Sequence, residues 1–177
     1  VAQSRRTILI SSVQKELATE RRAVKDFVRN DPLLGRFFDV FLFEDLPAQD
    51  RRADDVYLAE VGRSDIYVGL FGNDYGLDDN DGQSPTEREF NEATVQGKTR
   101  LIFVKGEGDK DRHPRMLKLV GKAGAQLIRK RFTDISGLTE ALYSSLVDYL
   151  EVCGIIHARH VEDRPCPDAT INDVDGQ

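Results

Sequence analysis

The run TILIS, Thr7 to Ser11, decides how the rest of the chain is read. It is short, β-branched and apolar through its middle, the pattern of a strand buried on both faces of a parallel sheet. The residues after it switch to a helical period. Val13, Leu17, Val24, Phe27 and Val28 recur on one face, with Glu, Lys and Arg filling the other. Ser11 and Gln14 fit a capping box at the start of that helix, with Ser12 as a rival cap.

The same alternation continues along the chain. FFDVFLFED (Phe37–Asp45) reads as a second strand, Asp54 to Arg63 as a short helix, and DIYVGLFG (Asp65–Gly72) as a third strand. A polar loop leads to a helix over Pro85 to Gln96, then to a fourth strand, TRLIFVKG (Thr99–Gly106). Pro114 to Gly121 is helical, and AQLIRKRF (Ala125–Phe132) is the fifth strand, with Arg129 and Arg131 placed to keep an edge from pairing with strangers. Leu138, Leu142, Leu146, Tyr149, Leu150 and Cys153 form the apolar stripe of a final helix. Strands that alternate with helices imply an α/β fold, a three-layer α/β/α sandwich around a five-stranded parallel sheet. Right-handed crossovers leave few strand orders, and the flavodoxin-like order 2-1-3-4-5 is expected.

In such sheets ligands bind beyond the C-terminal ends of the strands. Here those ends carry Ser11, Ser12, Glu44, Asp45 and the segment from Gly72 through Asp74 and Tyr75. The loop that leads to Ser84 lies beside them.

Bulk composition bounds the rest. The 177 residues, 40% of them apolar, suffice for one sizeable core. A net charge of −6 argues against a general grip on nucleic acid or anionic lipid, both of which need a cationic face. No run approaches the roughly 18 apolar residues of a membrane span. Two cysteines, Cys153 and Cys166, make no disulfide framework and fit a reducing cytoplasm. The chain opens on Val1 without a methionine, and from Glu162 it reads EDRPCPDATINDVDGQ, acidic and poor in apolar residues. The expectation is an α/β domain over residues 5–155 and a linker over residues 156–177, leading to a downstream domain of the same protein.

The helix that begins SPTEREFNEA (Ser84–Ala93) needs a closer reading. Ser84 is a good N-cap, Pro85 suits the first helical position, and Glu87 sits where a capping box wants its acid. Glu92 has Arg88 four residues earlier, as on a solvated face. Glu89 is different. With Phe90, Ala93, Thr94 and Gly97 as the buried stripe, Glu89 lies at the stripe's margin and leans over the sheet's C-terminal edge.

ILISS followed by KELATERRAV, then FED, DIYVGLFGNDYG and SPTEREFNEA, resembles a bacterial TIR-like domain of unknown function. The resemblance spans residues 5 to 150 and implies a place at the N-terminus of larger regulators with ATP-binding or DNA-binding modules. More distantly, the chain is similar to nucleoside deoxyribosyltransferases and NAD-cleaving TIR domains. Thr86, Glu89 and Ala93 match the Gly-Thr-x-x-Glu-x-Gly-x-Ala segment of the deoxyribosyltransferases, while Pro85 and Asn91 replace its two glycines. That resemblance implies Glu89 as the catalytic carboxylate, with NAD or a nucleoside as ligand. Such a carboxylate stabilises or attacks the cationic sugar carbon as an N-glycosidic bond breaks. Asp45, Asp74 and Tyr75 are the groups expected to hold ribose and base, Tyr75 by stacking, although GNDYG is also a good turn.

Other signals fail. In LDDNDG a calcium loop with Gly82 at its sixth position would have Leu77 first and Arg88 twelfth, where carboxylates are needed. A looser cation site among Asp74, Asp78, Asp79 and Asp81 has only its acidity to recommend it. Cys153, His157, His160 and Cys166 match no zinc spacing. No Walker, Gly-x-Gly-x-x-Gly or Gly-x-Ser-x-Gly motif occurs, and Arg51–Arg52 and Arg129–Arg131 are too short for a DNA face. Two readings follow: a sensor or interaction module binding a nucleotide-like ligand or a like domain, and an enzyme cleaving N-glycosidic bonds through Glu89. Self-association is compatible with either, since TIR-like domains work in assemblies.

Overall fold

The computed structural model describes residues 5–47, 53–77 and 82–157. Five strands form one sheet: β1 (Arg6–Ser11), β2 (Phe38–Phe41), β3 (Ile66–Phe71), β4 (Thr99–Lys105) and β5 (Arg129–Phe132). Their order is β2-β1-β3-β4-β5, and every pairing is parallel. The helices are α1 (Ala18–Asn30), α2 (Leu34–Phe37), α3 (Ala53–Arg63), α4 (Pro85–Val95), α5 (Pro114–Gln126) and α6 (Ile135–Val152). The expected three-layer architecture and strand order are both present.

The doubly buried strands explain the layering. On β1, Ile8 and Ile10 enter a core shared with Val24 and Val28 of α1 and with Leu138, Leu142, Leu146 and Leu150 of α6. Leu9 points the other way, into a core with Tyr67, Phe71, Phe90 and Ala93. Alternate side chains of one strand thus feed two apolar layers, which requires helices on both faces.

Several boundaries differ from the sequence expectation. Helix α1 starts at Ala18, and no side chain caps it. Ser11 is committed to the β1 ladder and Ser12 accepts a hydrogen bond from Arg21, so neither serves as cap. The intervening residues make a tight turn instead, with the Leu17 N–H bonded to Val13 O at 3.1 Å. Strand β2 is shorter than FFDVFLFED. Phe37 closes α2, and beyond Phe41 the β1 ladder ends and Phe43–Asp45 turns into a 3₁₀ helix. Helix α5 extends through Ala125–Gln126, where the sequence pattern predicts strand, because Met116, Leu119, Val120 and Ala123 continue its buried stripe. Cys153 is exposed at the end of α6 and does not belong to that helix's stripe.

The Arg129 and Arg131 guanidiniums of edge strand β5 are tied back, to Val120 O and to Asp109. No described helix is long and apolar enough to cross a membrane.

Candidate functional site

Beyond the C-terminal ends of β1 and β3 lies a cavity of about 570 Å³. Its walls are the β1–α1 turn, the loop after β3, the first turns of α4, and Phe43, Tyr57 and His113. Each wall is fixed by an interaction that can be traced to particular residues.

Helix α4 provides the acid. Its buried residues are Thr86, Glu89, Phe90 and Ala93, so Glu89 lies within the buried stripe and not at its margin, while Gly97 is exposed. Gly97, at φ +63°, ends the helix in the left-handed region that glycine tolerates. Glu89 is 5% exposed and lines the cavity. Burial pushes its pKa up to about 7, against the opposing pull of the Ser11 hydroxyl and the Arg21 and Arg88 charges.

The predicted cap at the head of α4 forms, with an addition. Ser84 Oγ accepts the Glu87 N–H at 3.3 Å. The return half of the box runs through a phenol: the Ser84 N–H donates to the Tyr75 hydroxyl at 3.2 Å, and that hydroxyl donates to the Glu87 carboxylate. Tyr75 is therefore a structural part of the cap, 2% exposed. Its ring stacks on His113 with centroids 5.7 Å apart, and the Arg115 guanidinium lies 4.6 Å from its centroid. The surface expected to stack on a base is largely occupied. The cavity's more open aromatic wall is Tyr57, packed edge-on against Phe43 at 4.3 Å.

Arg21 supplies a cation that the helical pattern of α1 places on its solvated side. It is 1% exposed, donates to both Glu44 oxygens at 2.8 and 2.6 Å, and reaches Ile10 O and Ser12 Oγ at 3.1 Å. Burial raises the Glu44 carboxyl, but hydrogen bonds from Arg21 and its own backbone, with the Arg21 and Arg22 charges, leave it below the usual range.

The loop after β3 is pinned from two sides. The Glu16 carboxylate accepts the Asn73 and Asp74 N–H groups at 2.6 and 3.0 Å. A Cβ at Gly72 would fall on that carboxylate, which gives the glycine a steric reason. From the other side buried Arg112 donates to Gly72 O, to Lys105 O at 2.8 Å and to Asp109 at 2.9 Å, tying the ends of β3 and β4 together. Nothing in the loop sequence around Arg112 distinguishes it from a surface arginine.

Of the candidate residues, Ser12, Asp74, Tyr75, Thr86 and Glu89 line the cavity. Ser11 is buried at the end of β1, and Gly72 opens the loop after β3. Asp45 is turned away and paired with Lys25 at 2.5 Å. Phe43, Tyr57, Arg21 and His113 also line the cavity, and no sequence motif marks them. Asp78, Asp79, Asp81, Arg51, Arg52, His160, Cys166 and residues 158–177 lie outside the described residues. Among the described residues no group of three His, Cys, Asp or Glu is placed to hold a metal ion.

Residues 7–147 match the family described as "Domain of unknown function (DUF4062)". The chain belongs to the DUF4062 family. No curated protein matches this sequence. Among solved structures, this DUF4062 chain is similar to the CMP N-glycosidase BcmB of Clostridium botulinum, with a TM-score of 0.52 and 7% identity over 79% of this chain and 99% of that one. It also matches oxidised flavodoxin 1 of Bacillus cereus, with a TM-score of 0.44 and 12% identity over 83% of this chain and 99% of that one. At such identities the first likeness speaks for the fold.

Proposed function

We propose that the cavity binds a nucleoside or nucleotide, NAD among the candidates, and that Glu89 promotes cleavage of its N-glycosidic bond. The observation that carries this reading is one carboxyl, buried in the cavity wall at the C-terminal edge of the sheet. Cleavage leaves positive charge on the sugar carbon, and a carboxylate in a water-poor site stabilises that charge far better than one in bulk water. Ser12, Thr86 and Asp74 offer hydrogen bonds to sugar hydroxyls, and Tyr57 offers a ring face to the base. The fold-level likeness to a CMP N-glycosidase supports the same choice. With a pKa pushed up to about 7, Glu89 passes from acid to carboxylate around neutral pH. Base release that uses Glu89 as nucleophile therefore rises as pH climbs through 7.

The experiment is direct: incubate the protein with CMP, NAD and deoxynucleosides, and follow free base by chromatography. Release that Glu89→Gln abolishes supports the reading. Equal release from wild type and Glu89→Gln sinks it.

The second reading is a binding module without turnover, serving as the sensor of a larger regulator. It is favoured by the burial that stabilises the protonated form of Glu89, which donates a hydrogen bond and does not attack carbon. In that case calorimetry detects ligand binding while no base appears.

A further inference from the structure

Two hydroxyls beside Glu89 are buried and have no well-formed hydrogen bond among the described residues: Ser11 Oγ and Tyr67 Oη. Buried polar groups normally find partners, so two such hydroxyls on adjacent strands beneath the helix that carries Glu89 need a reason. Neither completes the apolar core, and neither is exposed.

The sheet brings them together. In the β1–β3 ladder Leu9 lies opposite Tyr67 and Ser11 lies opposite Gly69. Leu9, Tyr67 and Phe71 all enter the core beneath α4, so Ser11, two residues beyond Leu9, faces the same helix. Tyr67 packs edge-on to Phe90, the residue next to Glu89, with ring centroids 6.2 Å apart. Gly69 decides where the phenol goes. A Cβ there would lie 3.0 Å from Tyr67 Cε1 and 2.9 Å from Ile102 Cδ1. Because residue 69 lacks a side chain, the tyrosine ring lies over it, toward the strand position that pairs with Ser11.

We propose that Tyr67 and Ser11 are positioning residues for Glu89: the phenol donates to the serine hydroxyl, and the serine donates to the carboxylate. A serine hydroxyl accepts from one neighbour while donating to another, so it can link the two. The chain delivers a hydrogen bond to Glu89 from beneath, leaving the carboxylate's cavity side open to ligand. Ser11 is close enough to both groups to favour their ionised forms, and the Glu89 charge raises the Tyr67 pKa further. Burial and that charge keep the phenol protonated, hence a donor throughout the working range.

The other charged groups around the carboxyl are few. Arg21 from α1 and Arg88 from α4 favour its ionised form, and Arg100 from β4 acts on Tyr67. Lys15, Asp74 and His113 line the same cavity, as does Tyr57 from α3. None of them lies in the Ser11–Tyr67 chain.

The inference concerns the carboxyl of the proposed cleavage and rests on that reading for its catalytic meaning, but its test does not require turnover. Label the full chain with glutamate carrying ¹³C at the side-chain carboxyl, assign Glu89 by the signal lost in Glu89→Gln, and titrate by NMR. A donor removed from the ionised form raises the midpoint. Tyr67→Phe, which keeps the ring and its packing, and Ser11→Ala each raise the Glu89 midpoint, by about one pH unit for the direct donor Ser11. The double variant moves no further than Ser11→Ala alone. An unchanged or lowered midpoint in Tyr67→Phe overturns the chain, as does a double variant whose shift equals the sum of the singles. If base release is found, its pH profile shifts in step with the NMR midpoint. Absence of release counts against the cleavage reading alone.

Discussion

Arg21 grips Glu44 through two hydrogen bonds, at 2.8 and 2.6 Å, from a position almost wholly removed from water. A buried guanidinium with its donors satisfied is stable only as a set, and removing one partner strands the other. Arg21→Met leaves the Ile10 carbonyl, Ser12 and Glu44 without their donor and takes a favourable charge from Glu89. The expected loss is about 3 kcal/mol by urea denaturation. Arg21→Lys retains the charge but not the two-pronged geometry, and falls between Arg21→Met and wild type.

Gly72 and Glu16 are coupled sterically. Gly72→Ala pushes the Glu16 carboxylate off the Asn73 and Asp74 N–H groups, at a cost of about 1–2 kcal/mol. In a Glu16→Ala background the same substitution costs less, because the colliding group is gone. A double-mutant cycle by chemical denaturation gives the coupling, and strict additivity contradicts it.

Tyr75 holds the head of α4 through Ser84 and Glu87. Tyr75→Phe keeps the stack on His113 and deletes the hydroxyl that joins the two, lowering stability by about 1 kcal/mol. Ser84→Ala costs a similar amount. Combined, the two cost less than their sum, since both break one network. Thermal unfolding of the three variants is the measurement.

Much of this architecture was legible in the sequence because its signals are local. TILIS and DIYVGLFG are apolar on both faces, and strands of that kind belong in a covered parallel sheet. SPTE carries its own capping chemistry, which the structure reproduces at Ser84 and Glu87. The expected strands overrun at Asp45, because β2 stops where the β1 ladder stops, and at Ala125, because α5 continues through Gln126; no residue within either strand records these limits. Arg21 and Arg112 were missed for a related reason. An arginine is buried when carbonyls and carboxylates from distant segments converge on it, and here those are Ile10 and Glu44 for one, Gly72 and Lys105 for the other. Tyr75 shows a different limit: an aromatic residue in a turn beside a cleft reads as a ligand contact, and it does line the cavity, but the turn sequence does not reveal that its hydroxyl is engaged in the cap of α4.

Glu89 also leaves a mark on stability. Its folded-state pKa of about 7 lies above the ordinary 4.5, so between those values the folded chain holds a proton that the unfolded chain has released. Stability therefore falls as pH rises from about 4.5 to 7, by up to about 3 kcal/mol, and stays lowered above that window. Glu89→Gln removes this dependence. The thermal midpoint of the variant gains on wild type between pH 5 and pH 8, and a constant gap between the two contradicts the buried, perturbed carboxyl.

Whether Glu89 acts on a ligand held in the cavity is decided by base release measured as a function of pH. With CMP or NAD as substrate, release rises through pH 7 and vanishes in Glu89→Gln, while the variant remains folded. Release of the same rate and pH profile from the variant, or neither release nor calorimetric binding from the wild-type chain, contradicts that action.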